Sequence, residues 1–94
     1  MDNTSNPITV DAADVAASAV EAWKGRITVL QVELVDYVAD TDTALVNQSN
    51  GKFLAFLNGA SDLETVRTGV IGSMDGITVP LGGITNGKLC FYHR

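Results

Sequence analysis

Cysteine is nearly absent. Cys90 stands alone in 94 residues, so no internal disulfide can form and the chain suits a reducing cytoplasm at synthesis. Histidine is as scarce, with His93 the single one. A histidine metal site needs partners of its own kind, and a triad needs a nucleophile and an orienter. Basic residues are few and scattered, at Lys24, Arg26, Lys52, Arg67, Lys88 and Arg94, against 11 acidic ones, for a formal charge of −5. Binding to a phosphate backbone draws on a cationic face and counterion release, so this balance argues against nucleic acid as a partner. No apolar run approaches the roughly 20 residues that span a bilayer, which argues against a membrane partner. The start, Met1-Asp2-Asn3-Thr4-Ser5-Asn6, has neither the basic head nor the apolar stretch of a secretory signal. Asn3-Thr4-Ser5 and Asn47-Gln48-Ser49, which match the glycosylation pattern, therefore read as polar loop residues.

What is abundant is turn chemistry set between apolar runs. In "SNGKFLAFLNG", Ser49 to Gly59, two Asn-Gly pairs fence a strand-length stretch. Asn50-Gly51 is the strongest hairpin signal, since a type I′ turn needs positive φ at both central residues. It separates Thr43–Asn47 from Lys52–Leu57. Asn58-Gly59, Asp75-Gly76 and Asn86-Gly87 repeat the device, the last two before Ile77–Pro80 and Lys88–His93. Short strands bounded by such corners predict an all-β sandwich or barrel. The segments between the corners share no sequence repeat. The hydrophobic content, 46%, is that of a globular chain, so general disorder is not expected. A domain of this size buries only roughly 60–65% of its unfolded surface and has a margin of about 5–10 kcal/mol.

The longest strand candidate is Arg26–Tyr37, "RITVLQVELVDY". Ile27 and Val29 share one parity, and Leu30, Val32 and Leu34 share the other. The phase slip near Val29-Leu30 means either burial on both faces or a β-bulge. "VADTDT" reads as a turn into the Thr43–Asn47 strand. Asp11–Lys24 is ambiguous: Asp11, Asp14, Ser18 and Glu21 have helical spacing with Gly25 as a stop, while Val15, Ala17, Ala19, Glu21 and Trp23 alternate. The residues alone tilt toward a helix capped by Asp11. Ser61-Asp62-Leu63-Glu64 has the capping-box pattern for one turn before a strand at Glu64–Thr68. Pro80 belongs at a strand end or edge. The expected core is Ile8, Val10, Trp23, Ile27, Val29, Val32, Leu34, Leu45, Phe53, Phe56, Val66, Ile71, Ile77, Val79, Leu89 and Phe91, each large side chain contributing about 1.5–3 kcal/mol when buried.

No catalytic, cofactor or metal set emerges, and the chain does not read as an enzyme. Asp36, Asp40 and Asp42 cluster, but the Gly and terminal Glu of a calcium loop are missing, so they read as a solvated turn. Cys90 and Tyr92 share one strand face with His93 on the other, so Cys90 reads as a small hydrophobe rather than a nucleophile. Gly69–Gly72 and Leu81–Ile84 lack the Lys-Ser/Thr and the strand-to-helix step of a phosphate cradle. Tyr37, Phe53, Phe56 and Phe91 could form a stacking platform for single strands, but core packing fits an acidic chain better. Trp23, Tyr37 and Tyr92 are the aromatics that a carbohydrate or small-ligand site could use.

The stretch "WKGRITVLQVELVDYVADTDTALVNQSNGKFLAF", followed later by "DGITVPLGGITNGKLCFYHR", resembles small accessory virion proteins of tailed bacteriophages. There a strand ends near an aromatic before a loop of small residues and Asp. An Asn-Gly-Lys hairpin, an Asp-Gly-Ile-x-Val strand and a closing Gly-Lys-aromatic strand follow. "NPITV" fits an opening strand. The resemblance implies a mainly β fold, a small antiparallel sandwich or barrel of about seven or eight short strands, with Asp11–Lys24 extended and at most one short helix. The residues themselves give a polar arm, residues 1–6, either disordered or clasping a neighbour, and one β domain, residues 7–94. The resemblance also implies a capsid decoration or cement protein, made in the bacterial host cytoplasm and located in the virion. Its partners would be the major capsid protein and copies of itself, as a homo-oligomer in the virion lattice. A tail, baseplate, adaptor or fibre-associated module is the neighbouring alternative, and a soluble carbohydrate- or ligand-binding β-module a third.

Overall fold

The computed structural model describes residues 1–39, 41–59, 66–67 and 72–94. Its strands are β1 (Ile8–Asp11), β2 (Val20–Val35), β3 (Thr43–Asn47), β4 (Phe53–Asn58), β5 (Val66–Arg67), β6 (Gly72–Val79) and β7 (Lys88–His93). All described pairings are antiparallel, in one sheet of order β1-β7-β2-β6-β3-β4, with β5 beside β2. The chain is mainly β. None of the described helices is long and apolar enough to cross a membrane.

β2 is the spine, at 16 residues. Val29 pairs with Gly72 of β6 on one edge and His93 of β7 on the other. Glu33 and Leu34 pair with β5 on one edge and β7 on the other. Hence β5 and β6 follow the same edge of β2, opposite β7. Against β7 the register jumps from Val29–His93 to Gln31–Tyr92. Leu30 is the extra residue, and the parity slip in the sequence is this bulge. It keeps Ile27, Val29, Val32 and Leu34 all buried on one side. They join Ile8, Val10, Ile77, Val79, Leu89 and Phe91 in a single core, as expected. The one sheet thus buries a single core.

Asp11–Lys24 is not a helix. Ala12–Val15 forms one 3-10 turn, and β2 has begun by Val20. The Asp14 carboxylate accepts from the Asp11 amide at 3.0 Å and closes the turn. Beyond it Ala22 is buried and Glu21 exposed, the alternation of a strand. Pro80 follows the last residue of β6, where it interrupts no ladder. Of the Glu64–Thr68 strand, the described part, Val66–Arg67, is β5. The capping box at Ser61–Glu64, the glycine segment 69–71 and the core assignments of Val66 and Ile71 lie outside what is described.

The reversals are fewer than the dipeptides suggest. Asn50-Gly51 does turn the β3–β4 hairpin, but with a three-residue loop. The Gln48 amide donates to Lys52 O at 2.7 Å and the Gly51 amide to Gln48 O at 2.9 Å. Gly51 has φ +87, while Asn50 stays at negative φ, so this is a type I turn closed by a left-handed glycine rather than type I′. Asp75-Gly76 lies inside β6 as an irregularity in its pairing with β2, between Trp23–Ile77 and Arg26–Asp75. Asn58-Gly59 ends β4 without a positive φ, and the Gly59 amide continues the ladder to Asp42 O at 2.8 Å.

The polar arm is fastened to its own chain. Asp2 and Thr9 exchange main-chain bonds of 2.9 and 2.8 Å along the outer edge of β1. The Met1 ammonium reaches Asp14 at 3.0 Å, and Asn3 Nδ2 donates to Ala22 O at 3.2 Å. The Asn6 side chain both donates to His93 O at 2.7 Å and accepts from the His93 amide at 3.2 Å. A side-chain amide thus substitutes for one rung of a strand ladder.

Candidate functional site

The β3–β4 hairpin departs most from the sequence reading. In β3 the small Ala44 and Val46 are buried and Leu45 is half-buried. In β4, Ala55 and Leu57 are buried, while Phe53 and Phe56 are 63% and 53% exposed. Leu45, Phe53 and Phe56 are thus not core residues, and Trp23 is only half-buried beside the buried Ala22. The register explains the face. Leu45 pairs with Phe56 and Val46 with Ala55, but Asn47 pairs with Phe53, so Leu54 is an extra residue. The bulge rotates Phe53 onto the outward face with Phe56 and leaves Leu54 half-buried against the core. Leu45, Phe53 and Phe56 form an apolar outward patch.

This patch lies at a sheet edge, since β4 ends the strand order. Backbone directions follow from the bonds of β3. The Leu45 amide donates to Gly83 O at 2.8 Å and Thr43 O accepts from the Thr85 amide at 3.0 Å. Thr43 and Leu45 therefore face away from β4, and Ala44 and Val46 face it. Their partners Leu57 and Ala55 point back at β3, so the Phe56 N–H and C=O point out from the edge. Among the described residues no strand pairs there. From Thr43 to Asn58 the hairpin holds no acidic residue and one cation, Lys52, in a chain with 11 acidic residues.

The hairpin is held rigidly. The Ser49 amide donates to Asp75 O at 2.8 Å, the Asp75 amide to Gln48 Oε1 at 3.0 Å, and Ser49 Oγ to Trp23 O at 3.4 Å. Its tip is thus tied to the β2–β6 irregularity. At its base, Asp42 is not a solvated turn residue: it is 3% exposed. Its carboxylate accepts from the Val38 and Ala39 amides at 2.8 and 2.7 Å and from Asn86 Nδ2 at 3.1 Å. The Ala39 amide, then Asn86 and the Val38 amide, hold its carboxyl below the usual aspartate range against the opposing effect of burial. Asp36 is exposed, with Lys88 Nζ at 3.9 Å, and Asp40 lies outside the described residues. No cluster of His, Cys, Asp and Glu among the described residues could hold a metal ion.

Cys90 is buried between Thr9 and Glu33 of the neighbouring strands. Burial, then the nearby Glu33 and Asp36 carboxylates, push its thiol up despite Lys88, so it is a poor thiolate donor. His93 stacks its ring on Trp23 at 5.7 Å between centroids. Its Nε2 is buried, with no hydrogen-bond partner among the described residues. Trp23 Nε1 donates to Arg26 O at 3.4 Å and the Tyr92 hydroxyl to Glu33 at 3.3 Å. Tyr37 lies against Gly59, where an added Cβ would meet its ring at 3.0 Å. Each of the three aromatics expected for a ligand site is engaged by a different part of the chain, and no pocket is present among the described residues.

Comparison with known protein families, with curated proteins and with solved structures finds no match to this chain.

Proposed function

We propose that this chain is a structural protein of a tailed-bacteriophage virion, seated on the head as a decoration or cement protein that binds the major capsid protein. The observation that carries an adhesive role is the apolar outward face of Leu45, Phe53 and Phe56 on the β3–β4 hairpin. Large apolar groups kept outward on a rigid hairpin suit a contact with another protein. The direction toward a phage head comes from the sequence resemblance. Cement spans seams between subunits and adds interface area where internal pressure pulls them apart, which needs stiffness and many copies but no chemistry. Modest single contacts multiply when neighbouring copies are held on one lattice.

The test is electron microscopy and mass spectrometry of gradient-purified particles from cells producing the chain. The expected result is density on the outer capsid surface and particles that leak DNA at lower temperature when the chain is deleted. Density in a tail ring would move the protein to the adaptor or baseplate. A chain absent from particles would end the virion reading.

A further inference from the structure

We propose that the arm is an edge guard: Asp2–Asn6 straps the outer edge of β1 and denies it to β1 of a second copy. Every residue from Met1 to Asn6 is exposed, so the arm adds nothing to the core. What Asp2, Asn3 and Asn6 hold instead is main chain on three strands, at Thr9, Ala22 and His93. Each is a place where the sheet leaves groups over. Thr9 turns both its N–H and its C=O to Asp2, away from β7. Glu21 pairs with Thr78 and Trp23 with Ile77, so Ala22 is an extra residue without a pair on β6. The β1–β7 ladder starts at Ile8–Phe91, so His93 lies two residues past its end.

The strap is latched. The Asp2 carboxylate accepts from the Thr4 amide, the Thr4 hydroxyl and the Ser5 hydroxyl, each at 3.0 Å, a turn that folds the arm back on β1. Asp11 shares the outward parity of Thr9, and its amide is taken by the Asp14 carboxylate at 3.0 Å. Edge strands are commonly protected by a covering segment, and a segment that buries nothing yet occupies these groups has that role. Symmetry names the strand it excludes. Thr9 presents a donor and an acceptor on one side, so two copies of β1 could lie antiparallel with Thr9 on a two-fold axis and exchange both bonds. Asp2 satisfies the same two groups from within the chain, and while it does so the intermolecular pair cannot form. This goes beyond the virion reading and does not depend on it.

The experiment opens the strap in the full chain with Asp2→Ala and Asn6→Ala together, both on exposed residues, so the dichroism spectrum should not change. Hydrogen exchange at the Thr9 amide, read by NMR, reports opening: slow in the wild type and several-fold faster in the variant. Sedimentation velocity from about 1 to 300 µM, a range suited to small interfaces, reports the consequence. The variant's mass should rise with concentration toward twice that of the wild type. Thr9→Pro, added to the opened variant, removes the outward N–H without touching the β7 ladder and should return the mass to the wild-type value. A Thr9 amide that exchanges freely in the wild type would overturn the proposal, and so would protection that the double variant leaves unchanged. An opened variant that sediments like the wild type, or an association that Thr9→Pro leaves intact, would overturn it equally.

Discussion

Replacing Gly76 with alanine tests how the hairpin is locked to the rest of the sheet. Gly76 has φ +77 within β6, opposite the point where β2 carries Lys24 and Gly25 between its paired residues. The left-handed conformation alone costs a non-glycine residue about 1–2 kcal/mol. The new methyl would also collide with Ser49 Oγ and approach Ser49 Cβ at 2.8 Å and Trp23 O at 2.9 Å. Ser49 would have to swing away and give up its bond to Trp23 O, worth about 0.5–1 kcal/mol. The main-chain oxygen of Trp23 can move only by disturbing the ladder. Together these come to about 3 kcal/mol, a large fraction of a small domain's stability. At about 4–8 °C per kcal/mol for a domain of this size, the midpoint should fall by roughly 12–24 °C. Gly25→Ala is the control, since its φ is +91 but an added Cβ meets nothing within 4 Å; it should lose only the conformational part, about 1–2 kcal/mol. In a Ser49→Gly background the cost of Gly76→Ala should shrink by about 1 kcal/mol. Thermal melts of the four variants measure all of this. Equal losses at Gly25 and Gly76 would refute the steric argument, and no rescue by Ser49→Gly would refute the assignment to Ser49.

Three further outcomes are expected. Phe91→Ala, in the fully buried centre, should cost about 3–5 kcal/mol in denaturant melts, while Phe53→Ser on the outward face should stay within about 0.5 kcal/mol; equal costs would show that β4 is phased the other way. The Asp42 carboxyl is held below its unfolded value, so its contribution is fully present above the ordinary aspartate pKa of about 3.9 and is lost as pH falls through the lower folded value; Asp42→Asn should lower the melting temperature at neutral pH and flatten the acid limb of a pH–stability curve. Asn6→Ala should free the His93 amide and speed its hydrogen exchange, at a stability cost of about 1 kcal/mol; unchanged protection at His93 would mean the arm is not held there.

How far the sequence reveals this fold varies by segment. Where a strand alternates large apolar with polar residues, as in β1, its buried face can be read directly. The bulge at Leu30 is legible because both parities around it are apolar. β4 is not, because "FLAFL" is apolar in every phase and size suggests that phenylalanine goes inward. The core is filled here instead by Ala44, Ala55, Val46 and Leu57, and a bulge invisible in the sequence sets Phe53 outward. Asp11–Lys24 defeats periodicity because alanine suits helix and strand alike, and the arm's bond to Asp14 is a long-range contact that no local pattern contains. Asp75-Gly76 carries a turn signal but serves a strand irregularity, since positive φ is common to both. The staple at Asp42 left a fainter trace: an aspartate three and four residues after small-residue amides can cap a loop, yet its burial depends on Asn86.

The order of the strands has a consequence for the newborn chain. Among the described residues β1 has β7 as its only strand neighbour, and β7 also fills one edge of the second half of β2. Ile8–Asp11 leaves the ribosome early, but its docking site is completed only when Lys88–His93 has been made. For several seconds of synthesis, at about 5–20 residues per second, β1 and one flank of β2 wait unpaired. A nascent chain stalled before residue 88 would leave both exposed to chaperones and proteases.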